Sequence, residues 1–248
     1  MSIKHRGLWV GAALLVVAVL AGCGLGPHVK GSGHSVQEER QTSDFVALDV
    51  NDGIEAIVVV DPAQPRTVRL LGDDNLVTLV RTELEGSNTL HVYLRPDEVM
   101  SWSSSNPLRV EVTVPKLEAL SRSGGGTVDL SGTLDAASLS ITASGGGIVR
   151  ARGLATQSLL LETSGGTQTT LAGQTSRVMS TMSGGGTLAA RELTSREALL
   201  TSSGGGSTEL RVSDSLRVTA SGGGSVHIVG HPSVLSQDLS GGSTLTFE

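Results

Sequence analysis

The chain has 248 residues, with 18 basic and 24 acidic side chains and a formal charge of −6 at pH 7. That balance does not suit a surface built for nucleic acid or anionic lipid, and the single cysteine excludes an intramolecular disulfide. Aromatic residues make up only 2% of the chain, so any core must be packed from small and aliphatic side chains.

The N-terminus reads MSIKHRGLWVGAALLVVAVLAGCG. Lys4 and Arg6 precede an apolar run from Leu8 to Leu20, and small residues lead to Cys23. This is the layout of a secretory signal, and the run is shorter than the ~20 apolar residues of a membrane-spanning helix. Leu20-Ala21-Gly22-Cys23 resembles a bacterial lipobox. The resemblance implies cleavage of residues 1–22 and lipidation of the Cys23 thiol, which attaches the protein to a membrane of the cell envelope. An ordinary signal peptide or an uncleaved anchor is the alternative. Gly24 stands where an Asp marks inner-membrane retention, which favours the outer membrane. Residues 24–43 are polar, contain glycine and lack an apolar period, so residues 23–43 are expected to form a flexible tether. His28 and His34 fall in it and read as solvated side chains rather than metal ligands.

Residues 44–248 read as one domain. Its first part, 44–119, contains alternating segments such as DFVALDV, GIEAIVVV, NTLHVYL and NPLRVEVTVP. They predict strands separated by turns at Asn51-Asp52-Gly53 and Gly86-Ser87-Asn88. Trp102 lies in the serine-rich stretch MSWSSSNP, expected to be an exposed loop. It is the best candidate for contact with an external ligand, and a cap over an open end of the fold is the competing role.

From residue 120 the chain repeats. Serine followed by glycines recurs at Ser123, Ser144, Ser164, Ser183, Ser203, Ser221 and Ser240, at intervals of 18 to 21 residues. The flanks keep register. Seven residues after each serine stand Leu130, Ala151, Leu171, Ala190, Leu210, Ile228 and Phe247. Five before stand Glu118, Leu139, Leu159, Val178, Ala198, Leu216 and Leu235. Apolar and polar residues alternate on both sides of the glycines, which predicts two short strands per repeat with one face inward. A second glycine corner follows at Gly132, Gly153, Gly173 and Gly230. One repeat buries too few aliphatic side chains to offset the entropy of ordering about twenty residues, so the repeats must stack. The prediction is an all-β, right-handed parallel β-helix of about twenty residues per coil, with the glycines aligned along one corner. A phosphate-binding loop is the alternative for a glycine run, but no Lys-Ser/Thr follows any of them.

A Phe-led strand, Gly72-Asp73-Asp74-Asn75, the strand Thr113 to Leu117 and the string of Ser-Gly turns together resemble the head GIN-domain family of auto-transporter adhesins. The resemblance covers about residues 44–248. It implies a single parallel β-helix, similar in shape to pectin lyases, with adhesion as its role and no catalytic residues to carry over. The acids of the repeat do not recur in one column, so neither a lyase-type calcium site nor the paired carboxylates of a hydrolase is evident. His227 and His231 flank a Gly-His-Pro turn as loop histidines rather than metal ligands. We therefore expect no catalytic residue, metal or cofactor, and no nucleic-acid partner. The expected role is adhesion or interaction at the envelope, with a surface protein or glycan as ligand. A polysaccharide lyase or hydrolase on the same scaffold, or a structural or regulatory envelope lipoprotein, are the alternatives. No capping helix follows Phe247, so end-to-end pairing of two copies is a further expectation.

Overall fold

The structure, a computed structural model, describes residues 27–86 and 88–248. The signal segment and Cys23 lie outside the described residues. In chain order come β1 (His28–Lys30), β2 (Ser35–Glu39), β3 (Ala47–Val50), β4 (Glu55–Val60), β5 (Thr67–Asp73), the single-turn helix α1 (Asp74–Val77), β6 (Val80–Glu85), β7 (Thr89–Leu94), β8 (Ser101–Ser103), β9 (Arg109–Val114) and β10 (Ala119–Arg122). The repeats supply β11 (Thr127–Gly132), β12 (Leu134–Ala143), β13 (Ile148–Gly165), β14 (Gln168–Gly184), β15 (Thr187–Gly204), β16 (Ser207–Gly222), β17 (Ser225–Val229), β18 (Ser233–Leu239) and β19 (Thr244–Phe247).

From β10 onward every pairing is parallel, and the stacked coils lie about 20 residues apart. The chain forms the β-solenoid that its periodicity predicts. Ser164, Ser183, Ser203 and Ser221 sit directly above one another, as do Gly165 and Gly184. The first glycine of each corner has positive φ, +92° at Gly145 and +121° at Gly204. A side chain here would also collide: a Cβ on Gly145 would lie 2.6 Å from the Gly124 carbonyl oxygen, and one on Gly165 2.7 Å from that of Gly145. The middle glycine of each quartet is different. A Cβ on Gly146, Gly185 or Gly205 would meet nothing within 4 Å.

Inward side chains form columns. Leu130, Ala151, Leu171, Ala190, Leu210 and Ile228 are all fully buried, which accounts for a core with almost no aromatic residues. Phe247 ends that column 41% exposed, because nothing among the described residues lies above it. The two ends of the second column depart from expectation. Glu118 is exposed while Leu117 is buried, and Val234 rather than Leu235 pairs with Leu216. A register shift after Leu216 turns Leu235 outward.

Residues 44–119 are further coils of the same solenoid, traversed out of order. β3 and β4 lie beneath β10 and β11, and β7 and β9 lie beneath β3 and β4. The chain thus lays its second rung, then its first, then its third. The detour provides a cap. β5 runs antiparallel along β9, β6 along β7, and β2 along β5, so the bottom rung's edges are paired. The expected tether is therefore ordered over part of its length, since β1 and β2 fall within residues 28–39.

The glycine column yields a prediction. Gly204→Ala combines a forbidden φ with a clash against the Gly184 carbonyl, and is expected to cost about 2 kcal/mol or more. Gly205→Ala, one residue on, should stay within about 0.5 kcal/mol of the wild type in urea unfolding. Equal effects would contradict the stacked-corner account.

Candidate functional site

The turn Asn51-Asp52-Gly53 is the glycine corner of the second rung. Gly124 stacks on it, and Asp52 is the one non-glycine with positive φ, at 58°, among the described residues. Its carboxylate accepts the Leu94 N–H at 2.8 Å, which holds the turn on the rung below. Its carbonyl accepts the Trp102 indole N–H at 3.0 Å.

Around this corner a hollow forms. On one side, His91 and Tyr93 alternate outward along β7, and their rings stack with centroids 4.3 Å apart. The Tyr93 hydroxyl donates to Glu83 at 3.1 Å, and that bond to a carboxylate raises the phenol's pKa. The next rung places Asp49 over His91. The Asn51 amide donates to Asp49 at 3.2 Å and lies 2.6 Å from His91 Nε2, and the Ser123 hydroxyl donates to Asn51 at 2.5 Å. Val99 and Met100, the latter 63% exposed, also line the adjoining part of the hollow, which is walled by Trp102 and floored by bare backbone at Gly53, Gly124 and Gly125. The two adjoining parts of the hollow measure about 350 and 440 Å³.

Trp102 is placed differently from expectation. It is half-buried in β8, which pairs with β1 so that Val29 faces Trp102, and its body packs against the core. The serine-rich stretch is held by Asp73. This buried carboxylate accepts the Ser104 hydroxyl and the Asn106 amide, both at 2.6 Å, and these bonds pull its pKa below the ordinary value. The neighbouring Asp74 accepts the Ser32 hydroxyl at 2.5 Å, and Asn75 bonds the Ser32 N–H and the Lys30 carbonyl. The Gly72-to-Asn75 segment is thus a clamp that fastens residues 30–34 and the Trp102 wall together.

The other candidates do not gather here. His28 sits between the Ser101 and Ser103 hydroxyls at 2.9 and 3.0 Å. His227 bonds Thr246 and Glu248 at the far end of the solenoid, and His231 is exposed. Among the described residues no cluster of three or more His, Cys, Asp or Glu could hold a metal, and no helix is long and apolar enough to cross a membrane.

The Ser123 hydroxyl points its proton at an amide, which is no base, so it is not activated as a nucleophile. Three carboxylates elsewhere on the solenoid are engaged in ion pairs: Glu55 with Arg109, Glu197 with Arg177, Asp214 with Arg196. Glu248 is drawn down to about 2, first by its hydrogen bonds with Arg191 and then by His227.

Residues 44–232 match the family described as "Putative auto-transporter adhesin, head GIN domain", and the chain belongs to that family. Solved structures share the fold. A "putative adhesin" from Bacteroides fragilis superposes with a TM-score of 0.80 at 21% identity, covering 89% of this chain and all of that one. A "putative adhesin" from Parabacteroides merdae gives 0.70 at 20% identity, covering 90% and 100%. A "putative lipid binding protein" from Parabacteroides distasonis gives 0.69 at 17% identity, covering 89% and 100%. None of the curated proteins matches the chain.

The clamp is testable through pH. The Asp73 pKa is depressed in the folded state, so its stabilisation is present above the unfolded value near 3.9 and is lost as pH falls through the folded value. Trp102 emission is expected to shift to the red as pH drops below about 4, and Asp73→Asn should show the shift at neutral pH. Emission indifferent to both would remove Asp73 from this role.

Proposed function

We propose that the chain is a non-catalytic adhesion domain, held at the cell envelope by a lipid on Cys23, whose ligand is a glycan bound in the hollow between Tyr93 and Trp102. The observation that carries this reading is a pair of adjoining hollows that share Asp52, Leu94, Val99 and Met100, one walled by His91 and Tyr93 and the other by Trp102 over bare glycine backbone. Aromatic rings offer a flat apolar surface with a polar edge, while Asp49, Asn51 and Ser123 supply acceptors and donors at fixed positions beside them. Sugars present the matching combination of apolar ring faces and hydroxyl rims. The family's description and the two adhesin-named relatives support an adhesive role. Gly24 after Cys23 favours the outer membrane. β1 pairs with β8, so His28 lies beside the strand that carries Trp102.

A panel of envelope and host glycans presented to the detergent-solubilised chain tests the ligand class. The wild type should bind a subset, and Tyr93→Ala or His91→Ala should weaken binding by about tenfold or more without moving the thermal midpoint. Binding by both variants equal to the wild type would place the ligand elsewhere, and turnover of any polysaccharide would replace adhesion with catalysis. For the anchor, Cys23→Ser should abolish incorporation of labelled lipid and release the protein from membranes. Labelling that survives the substitution would contradict lipidation at Cys23.

A further inference from the structure

Polar side chains of the first three rungs meet beside the hollow, and one carboxylate fixes where their protons lie. Asp49 lies over His91 on adjacent rungs. Asn51 Nδ2 is 3.2 Å from Asp49 Oδ2 and 2.6 Å from His91 Nε2, and the Ser123 hydroxyl is 2.5 Å from Asn51 Oδ1. A carboxylate can only accept, so the amide turns its NH₂ group towards Asp49. The second hydrogen of that group points at His91 Nε2, which must accept it. An imidazolium paired with Asp49, 3.5 Å away, would instead set two donors 2.6 Å apart. His91 is therefore held as the neutral ring with its proton on Nδ1. Nδ1 has no partner among the described residues and reaches solvent.

His91 lines the larger part of the hollow, about 440 Å³, together with Asp52, Tyr93, Val99 and Met100. The cavity thus holds one fixed N–H donor. It also holds a free acceptor: Asp52 gives Oδ2 to the Leu94 N–H, while Oδ1 has no partner among the described residues. Val99 and Met100 add apolar surface, part of it a polarizable thioether. The charge balance is negative. Glu83 stands opposite His91 on β6 and Arg81 opposite Tyr93, and Asp49 and Asp52 add two more carboxylates. An anionic acceptor is repelled by this set, and an ammonium group meets a donor at His91.

On the reading that the hollow takes a glycan, we propose that the sugar is an N-acetylated amino sugar, recognised through its acetamido group. The carbonyl oxygen accepts from His91 Nδ1, the amide N–H donates to Asp52 Oδ1, and the methyl rests on Val99 and Met100. Tyr93 remains for the sugar ring. A hydroxyl in the place of the acetamido group offers no methyl to Val99 and Met100. Asn51 and Asp49 act as positioning residues, since they set the tautomer that makes His91 a donor.

Calorimetric titration of the full chain, in a detergent without sugar groups, compares three trisaccharides of one linkage: N-acetylated chitotriose, its de-N-acetylated form and cellotriose. The acetylated trimer should bind at least about tenfold more tightly than either of the others. His91→Phe keeps a ring against Tyr93 but has no N–H. It should level the acetylated trimer with cellotriose while leaving the thermal midpoint in place. In ¹⁵N NMR, wild-type His91 should show the Nδ1–H tautomer. Asn51→Asp, whose carboxylate accepts from Nε2, should move the proton there and remove the preference. Acetylated trimer and cellotriose bound alike, and both weakened by Tyr93→Ala, would overturn the acetamido assignment and leave the hollow as a glycan site. So would an amine trimer bound most tightly, an acetylated trimer that does not bind, or a wild-type His91 protonated at Nε2. Acetylated binding indifferent to both His91→Phe and Tyr93→Ala would remove the hollow as well.

Discussion

The structure depends on how closely one rung's corner can approach the corner beneath it. At the first glycine of each quartet the backbone of the lower rung occupies the space a Cβ would need. Only a residue without a side chain allows the next hydrogen bond to form, such as that from the Gly166 N–H to the Gly145 carbonyl at 2.9 Å. Once the corners are locked together, the strands on either side are fixed in register, and like side chains fall on like. The last position of the quartet shows the rule by its exception. Thr167 replaces glycine there, and its hydroxyl donates toward the Ser164 and Gly145 carbonyls at 3.1 and 3.3 Å. The substituted corner regains polar contacts in exchange for the lost clearance.

Register then determines the interior. A column can be aliphatic throughout, because every rung offers the same space to the same position. In one column polar residues enter as neighbours, Thr156, Thr175 and Ser195 on successive rungs. The Thr156 hydroxyl donates to that of Thr175 at 3.0 Å, and Thr175 in turn donates to the Arg177 carbonyl. The Ser195 hydroxyl reaches the Arg211 carbonyl at 2.6 Å. These three hydroxyls are tolerated because a stacked neighbour or a strand carbonyl lies within reach, whereas the buried hydroxyls of Thr169 and Ser180, each between apolar neighbours in its column, have no partner.

The sequence repeat makes most of this legible, because a rung of about twenty residues leaves its period in every column. Three things escape such a reading. The order of the first coils depends on β5 turning back along β9, a pairing between segments some forty residues apart that no local pattern records. The docking of residues 30–34 rests on Asp74 and Asn75, whose partners Ser32 and Lys30 look like linker residues until the fold joins them. Trp102 is visible as a rare aromatic in a polar stretch, but its pairing with Val29 and its bond to the Asp52 carbonyl come from segments some 50 and more residues away. The Asn51-Asp52-Gly53 turn is readable as a turn. That it belongs to the same ridge as Ser123 follows only from stacking.

The departures from ideal packing are concentrated at one level of the solenoid. Asp52 holds a positive φ. One rung higher, Arg122 is buried in its column between Val50 and Ala143. Burial lowers its pKa, and its guanidinium donates only to the Gly124 carbonyl, leaving Nη1 without a partner. Met100 exposes its thioether beside them. The rungs above carry scattered costs instead, the unpartnered buried hydroxyls of Thr169 and Ser180. The positive φ at Asp52 falls at the corner that lines both parts of the hollow, and strain at such a place is a cost that packing alone does not require. The hollow opens there on the first bare stretch of the glycine ridge, at Gly53, Gly124 and Gly125.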